Sequence, residues 1–393
     1  MSETSSGGFM TRALHGEGHG KPFNAHAMPI FQSSTFYFDS ADHGADLFAG
    51  KQSGHIYTRI GNPTVEAYER VVADLEGGGE AVAFSSGMAV IYASIMSFIE
   101  SGDHVISGDT LYGPSVNLIG QVMARSGIQS TFLDTSDVDA VKAALRPETK
   151  VVFLETPANP TCRITDIAAV SELAHAQGAL VVVDGTFATP RFQRPLELGA
   201  DVALHSTTKF INGHGDVVGG IATAKPELAR KIRKFRTDTG ACPSPFDAYL
   251  SLRGVRTLGL RMERHNENGL AVAEYLTGHP KVSRVYFHGL PEDPGHQVAL
   301  KQMDGFGSTL AFDMAGGYDA AKKLLQGIRM MTLAVSLGTV DTLIQHPASM
   351  THASVPPEIM KQQGLTPEMV RIHVGLEDKE DVIADLRTAF EGV

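Results

Sequence analysis

The chain has 393 residues, 42% apolar and 20% charged, the balance of a soluble globular protein long enough for two or three compact units. Its net charge of −11, with no basic run and no Lys/Arg-lined aromatic series, argues against nucleic acid or anionic membrane as the main partner. Cys162 and Cys242 are the only cysteines, which excludes a disulfide framework, and both read as structural residues of a reduced, cytoplasmic protein.

In chain order, the polar start MSETSSGGFMTRALHGEGHGKPF lacks the apolar segment of a secretory signal. Every later apolar run is broken by Gly, Asp or Ser before it could span a bilayer, so no membrane association is expected. Residues 1–61 read as an irregular arm with one extended piece, MPIFQSSTFYF. An arm this long and this apolar is expected to wrap a neighbouring subunit.

From about residue 80 the rhythm changes. AVAFSS, HVISG, STFLD, KVVFLET, ALVVVDG and DVALHS are short apolar runs, and most are separated by helix-like segments such as GMAVIYASIMSFIE, DVDAVKAALRP and DIAAVSELAHAQG. Alternation of nearly all-apolar strands with helices predicts an α/β unit over 62–254, its parallel sheet covered on both faces and its ligands bound at the carboxyl ends of the strands. Over 255–393 a long charged helix, GVRTLGLRMERHNENGLAVAEYLTG, precedes strand-like VSRVYF, STLAFDM, TLAVSLG and MVRIHVG. That pattern predicts a smaller α+β unit.

Three places near the expected strand ends carry chemistry. Asp184 ends ALVVVDG; it reads either as a turn or N-cap aspartate or as a permanent anion that keeps a heterocyclic nitrogen protonated. Lys209 follows Ser206, Thr207 and Thr208 and precedes the glycine-rich NGHGD. A lone lysine is ordinarily a solvated surface group, but desolvated in a crevice its pKa falls and it becomes a nucleophilic amine able to form a Schiff base. Ser206 and Thr208 supply hydroxyls suited to phosphate oxygens, so an aldehyde cofactor with a phosphate tail is one candidate ligand. Ser85-Ser86-Gly87-Met88, between a strand and a helix, is either a plain Ser N-cap with a turn glycine or an anion site at the helix start. No G-x-G-x-x-G or G-x-x-x-x-G-K-[ST] spacing supports a nucleotide. No H-E-x-x-H or C-x-x-C spacing turns His15 and His19, or His346 and His352, into metal ligands, and no metal is expected.

Together these residues resemble the pyridoxal-phosphate enzymes of cysteine and methionine metabolism, the cystathionine γ-synthase/γ-lyase and methionine γ-lyase family. The resemblance runs nearly end to end, through TRALHG, YTRIGNPT, SSGMAV, DTLYG, ETPANPT, VVVDGT, RPLELGADVALHSTTKFINGHGD, VSLG, HPASMTHA and VGLE. It implies PLP-dependent fold type I (aspartate aminotransferase-like), with a mainly parallel seven-stranded sheet in the large domain, and a homotetramer built as a dimer of dimers. By motif it implies that Lys209 is the Schiff-base lysine and Asp184 the partner of the ring nitrogen. Ser206, Thr208, Gly87 and Met88 would hold the phosphate, and Tyr57 and Arg59 would reach the phosphate of the neighbouring subunit's cofactor. Tyr112 would stack on the ring and protonate the leaving sulfur. Arg371, with Ser336 and Asn159, would grip the substrate carboxylate, a task suited to a forked guanidinium.

The resemblance further implies a γ-elimination on a sulfur amino acid. Val335 stands where cystathionine-cleaving relatives usually carry a glutamate, which points to L-methionine, and also to homocysteine, with methanethiol, ammonia and 2-oxobutanoate as the products from methionine. Cystathionine γ-lyase, cystathionine γ-synthase and homocysteine desulfhydrase activities are the alternatives, and a non-catalytic binding protein has no need of Lys209, Asp184, Tyr112 and Arg371 together. Three positions depart from the methionine-cleaving pattern: Pro114 replaces a cysteine, Gly185 an asparagine and His373 a serine.

Overall fold

The computed structural model describes residues 7–17, 21–353, 358, 360 and 363–393. Parts of the expected arm, residues 1–6 and 18–20 with His19, lie outside the described residues.

Seven strands form the first sheet: β1 (Glu80–Phe84), β2 (His104–Gly108), β3 (Gln129–Leu133), β4 (Thr149–Glu155), β5 (Leu180–Asp184), β6 (Val202–His205) and β7 (Gly220–Ala224). Their order is β1-β7-β6-β5-β4-β2-β3. β6, β5, β4, β2 and β3 run parallel, and only β7 is antiparallel to its neighbours β1 and β6. All six apolar runs read as strands are strands. β7 has the sequence GIATA, whose small side chains gave no strand signal.

Because side chains alternate across a strand, each apolar run feeds two cores. Val151, Phe153 and Val182 pack with the helix Gly87–Met96, whereas Val152, Leu154, Val181 and Val183 pack with the helix Ile167–Ala176. Burial on both faces is why Val151–Leu154 and Leu180–Val183 hold no polar residue before the carboxyl end of their strands.

The second sheet holds β8 (Val282–Tyr286), β9 (Thr309–Met314), β10 (Thr332–Leu333), β11 (Leu343–Gln345) and β12 (Met369–His373), in the order β10-β11-β12-β9-β8. Val370 and Ile372 of β12 face a core shared with Leu276, Leu324 and Leu386 from three helices, Leu258–Thr277, Gly317–Gly327 and Lys379–Glu391. The period of two therefore turns Arg371 and His373 to the opposite face. There His373 meets Phe210, which follows Lys209, with ring centroids 5.2 Å apart.

Three expectations are corrected. The arm is not irregular throughout. It contains the helices Phe9–His15 and Ala41–Phe48, the second capped by Ser40 Oγ accepting the His43 N–H at 3.0 Å, while MPIFQSSTFYF forms only one isolated bridge, Thr35 to Tyr57. The long helix begins at Leu258; Gly254 and Val255 end a separate helix, Pro245–Val255, whose Gly254 carbonyl accepts from Arg261 Nη2 at 2.8 Å. TLAVSLG forms a strand only over Thr332–Leu333, its last bond to β11 running from the Ala334 N–H to Ile344 O at 3.1 Å. Ser336 (φ 114) and Gly338 (φ 79) then turn the chain out of the sheet. A Cβ on Gly338 would lie 2.5 Å from Phe210 N, so glycine there lets the loop close on the Lys209 backbone.

Candidate active site

β4, β5 and β6 are parallel neighbours, so their carboxyl ends open at one edge of the sheet. Asp184 ends β5 and continues the face of Val182. Glu155 ends β4, continues the face of Val151 and Phe153, and is the register partner of Asp184. Both carboxyls therefore point to the side of the helix Gly87–Met96 and line a cavity of about 360 Å³.

At one end of the cavity is an anion cradle. Ser86 caps the helix, its Oγ accepting the Ala89 N–H at 3.1 Å, and the N–H groups of Gly87 and Met88 make no hydrogen bond among the described residues. A Cβ on Gly87 would lie 2.7 Å from Ser206 Oγ, so glycine is what lets that hydroxyl stand over the helix start. The Thr208 hydroxyl is engaged elsewhere: it donates to Gly219 O at 3.3 Å and accepts the Gly219 N–H at 3.0 Å.

Asp184 Oδ1 accepts both the N–H (3.0 Å) and the hydroxyl (2.5 Å) of Thr186, while Oδ2 has no hydrogen-bond partner among the described residues. Burial raises the pKa of this carboxyl against the opposing bonds from Thr186. Burial also raises that of Glu155, reinforced by the charge of Asp184. Two adjacent buried carboxyls without a cation between them favour protonation, and a positively charged ring nitrogen at Asp184 Oδ2 would remove that cost.

Lys209 Nζ donates to Ser336 Oγ at 2.7 Å. Burial, with the nearby Arg371 guanidinium, lowers its amine to about 8, so a sizeable fraction is neutral near pH 7.5. Arg371 is buried on β12, and burial lowers it to about 10, still cationic at neutral pH. Its Nη1 donates to Asn159 Oδ1 at 3.0 Å and its Nη2 to Ser336 O. Gln345, its register partner on β11, sets its amide against the guanidinium. Assigned with the oxygen facing it, the orientation that satisfies both groups, the amide accepts from Nε at 3.1 Å and Nη2 at 2.9 Å.

The cavity brings together Gly87, Met88, Tyr112, Asn159, Asp184, Ser206, Thr208, Lys209, Val335, Ser336 and Arg371. It does not include Tyr57, Arg59 or Pro114. Tyr57 is 43% exposed, and Arg59 lies over the Tyr57 ring and donates to Thr237 O, away from this chain's own cavity. Pro114 is exposed, and its neighbours Tyr112 and Ser115 line the wall instead. Glu155, Thr186, Phe187, Leu337 and Thr351 also line the cavity and were not anticipated. Glu155 carried the same signal as Asp184, a carboxylate after an apolar run. Among the described residues no cluster of His, Cys, Asp or Glu could hold a metal ion, and no helix is long and apolar enough to cross a membrane.

The other two departures sit behind the cavity. A Cβ on Gly185 would lie 3.0 Å from Cε1 of His205, whose ring is held by buried Glu76, so a larger side chain would press on that pair. His373 donates from Nε2 to Thr339 O at 2.9 Å and accepts at Nδ1 from Ser308 Oγ at 3.3 Å. Burial lowers it to about 3, which keeps the ring neutral and this tautomer in place. The ring thus ties the end of the Val335–Thr339 loop to β12.

Comparison with known proteins assigns these features to a group. The sequence model of the family described as Cys/Met metabolism PLP-dependent enzyme matches residues 10–391. An L-methionine gamma-lyase of Fusobacterium nucleatum subsp. polymorphum is 48% identical, with both chains covered in full. A cystathionine gamma-synthase of Mycobacterium bovis is 45% identical over 99% of this chain and 100% of its own. The crystal structure of cystathionine gamma-lyase from Lactobacillus plantarum complexed with L-serine superposes with a TM-score of 0.93, at 38% identity, over 98% of this chain and 99% of that one.

Proposed function

The chain belongs to the Cys/Met metabolism PLP-dependent enzyme family, as a carbon–sulfur lyase that uses pyridoxal 5′-phosphate, and from that premise we propose that it eliminates the γ-substituent of L-methionine. With water, methionine would yield methanethiol, ammonia and 2-oxobutanoate.

The cofactor fits the cavity at both ends. Gly87, Met88 and Ser206 would hold its phosphate, where the missing Cβ of Gly87 admits the Ser206 hydroxyl, and Asp184 Oδ2 would hold the proton on its ring nitrogen. When bound, the cofactor supplies an electron sink for the carbanions of the substrate. Lys209 Nζ would attach the cofactor's aldehyde and, once displaced by the substrate amine, take the Cα proton. Arg371 would bind the substrate carboxylate as Asn159 and Ser336 hold its guanidinium. Tyr112 would cover the ring and give its hydroxyl proton to the leaving sulfur.

The observation that carries the choice of methionine is the wall of the cavity. Val335, Leu337, Phe187, Ile91 and Val218 line it, and among the described residues Glu155 and Asp184 are its only acids, both at the strand ends. The distal ammonium of cystathionine would find no carboxylate at Val335, whereas a methylthio group would meet an apolar side chain there. On a panel of methionine, homocysteine and cystathionine, followed by 2-oxobutanoate release, methionine is expected to exceed cystathionine in kcat/KM. Val335→Glu is expected to lower methionine kcat/KM by about tenfold and to raise that for cystathionine. Faster turnover of cystathionine by the unaltered enzyme would refute the choice.

The same reading extends to assembly, as a homotetramer of two dimers in which the arm serves a neighbouring subunit. Its support is the exposure of Tyr57 and the distance of Tyr57 and Arg59 from their own cavity, together with Phe23 and Tyr37, each 92% exposed on the same arm. Sedimentation of the holoenzyme should give a species of four chains, and a monomer at assay concentration would overturn the arm's role.

A further inference from the structure

The carboxylate of Glu155 lies on the cavity wall, 7% exposed, and it contacts neither the anion cradle nor Lys209. Its two oxygens are used on the main chain. Oε2 accepts the N–H of Tyr112 at 3.2 Å, and Oε1 accepts the N–H of Asn159 at 3.0 Å. Neither N–H has another partner among the described residues.

Each of those two bonds takes the N–H of the site residue itself, while neighbouring bonds brace the rest of each loop. The Tyr112 carbonyl accepts the Ser115 N–H at 2.8 Å, and Ala158 donates its N–H to Arg163 O at 3.0 Å and accepts the Cys162 N–H at 2.7 Å. Tyr112 stands before the short helix Gly113–Asn117, its side chain is 40% exposed, and its hydroxyl makes no hydrogen bond among the described residues. Upstream polar restraint on its ring therefore comes through its own N–H. Asn159 lies between Ala158 and Pro160, with Pro157 before them, and prolines bring no N–H with which to brace a loop. Beyond its N–H, Asn159 reaches Arg371 through Oδ1, at 3.0 Å from Nη1. One side chain thus joins the Tyr112 loop to the Asn159 loop, and the Asn159 loop to the guanidinium.

We propose that Glu155 is a positioning residue that sets two parts of the site in one frame: the tyrosine that covers the cofactor ring and the asparagine–arginine pair that holds the substrate carboxylate. The proposal rests on the roles given above to Tyr112 and Arg371. A rigid clamp between the two is what the reaction needs, because the carboxylate anchor fixes which bond of the substrate stands over the ring while Tyr112 fixes where the leaving sulfur is met. Burial and the Asp184 charge raise the Glu155 pKa, and a ring cation at Asp184 would offset the second and so favour the ionised form. A carboxylate suits the place because it accepts at both oxygens. An amide of the same shape accepts at one end only and turns an NH2 donor toward the other N–H.

The test compares Glu155→Gln and Glu155→Asp with the unaltered holoenzyme. Glu155→Gln is expected to stay folded with a melting temperature lowered by a few degrees, the cost of one buried N–H left facing a donor. It should bind pyridoxal 5′-phosphate within about threefold of wild-type affinity, since the cradle and Lys209 are untouched. The visible circular dichroism of the bound cofactor should change as the Tyr112 ring shifts, KM for methionine should rise about tenfold, and kcat should fall by a similar factor. Glu155→Asp, which keeps two acceptors on a stem shorter by one methylene, should recover part of each effect. In the double variant with Arg371→Leu the rise in KM should be less than the product of the single effects, because the clamp acts on KM through Arg371.

Unchanged dichroism and kinetics in Glu155→Gln would overturn the proposal, as would a loss of folding or cofactor in both single variants, which would make the residue structural. Failure of the underlying reading looks different: Arg371→Leu alone would then leave KM unaltered, and the proposal would fall with it.

Discussion

Replacing Lys209 with alanine is expected to lower turnover of every substrate by about 10⁴-fold while leaving the fold intact. The side chain sits after β6 with its amine on Ser336 Oγ at 2.7 Å, and no core residue depends on it. What is lost is an amine brought to about 8 by burial and by Arg371. Only the neutral amine attacks an aldehyde, so covalent loading of the apoprotein should quicken with pH, by about tenfold per unit below 8, and flatten above it. The alanine variant should retain non-covalent affinity through the cradle at Gly87 and Ser206 and show no such pH-dependent loading. Stopped-flow mixing of apoprotein with the cofactor reads both. A loading rate independent of pH in the wild type would contradict the role of the buried amine.

Arg371→Leu is expected to raise KM for methionine by about 10²- to 10³-fold, with cofactor uptake unchanged. The guanidinium is buried on β12, on the face opposite the second core, and is held by Asn159, Ser336 and Gln345. Its loss leaves a substrate carboxylate to be desolvated without a partner, a cost of about 2–5 kcal/mol. Arg371→Lys should recover little, because an ammonium cannot reproduce the planar fork that meets those acceptors. Steady-state kinetics checks it, and a KM within about twofold of wild type would remove Arg371 from the substrate site.

Much of the first sheet was legible because its strands are buried on both faces. Runs such as VVFLE and LVVVD carry no polar residue until the carboxyl end, so the polar residue that breaks the run marks the site. That rule picked out Asp184 and applied equally to Glu155, which went unread because its contacts are to main-chain N–H groups, of Tyr112 and of Asn159, that no residue pattern displays. Other features depend on tertiary packing that local pattern does not carry. GIATA completes the sheet with small residues that fit under Ser86 and Val90, where Cβ on Gly220 would lie 2.4 Å from Ser86 O. The Val335–Thr339 loop leaves the second sheet with Ser336 at φ 114 and Gly338 at φ 79, where a Cβ on Gly338 would lie 2.5 Å from Phe210 N. Tyr57 and Arg59 were assigned by motif alone, and within one chain they are not among the residues that line the cavity. Pro114, assigned to the substrate site by motif, is exposed and is not among the residues that line this chain's cavity, whereas its neighbours Tyr112 and Ser115 are.

The most direct test is where the cofactor becomes bound. Borohydride reduction of the wild-type holoenzyme, followed by proteolysis and mass mapping, should find the pyridoxyl group on the peptide containing Lys209 and on no other. A pyridoxyl group on a different lysine, or stoichiometric labelling of the Lys209→Ala protein, would contradict the account.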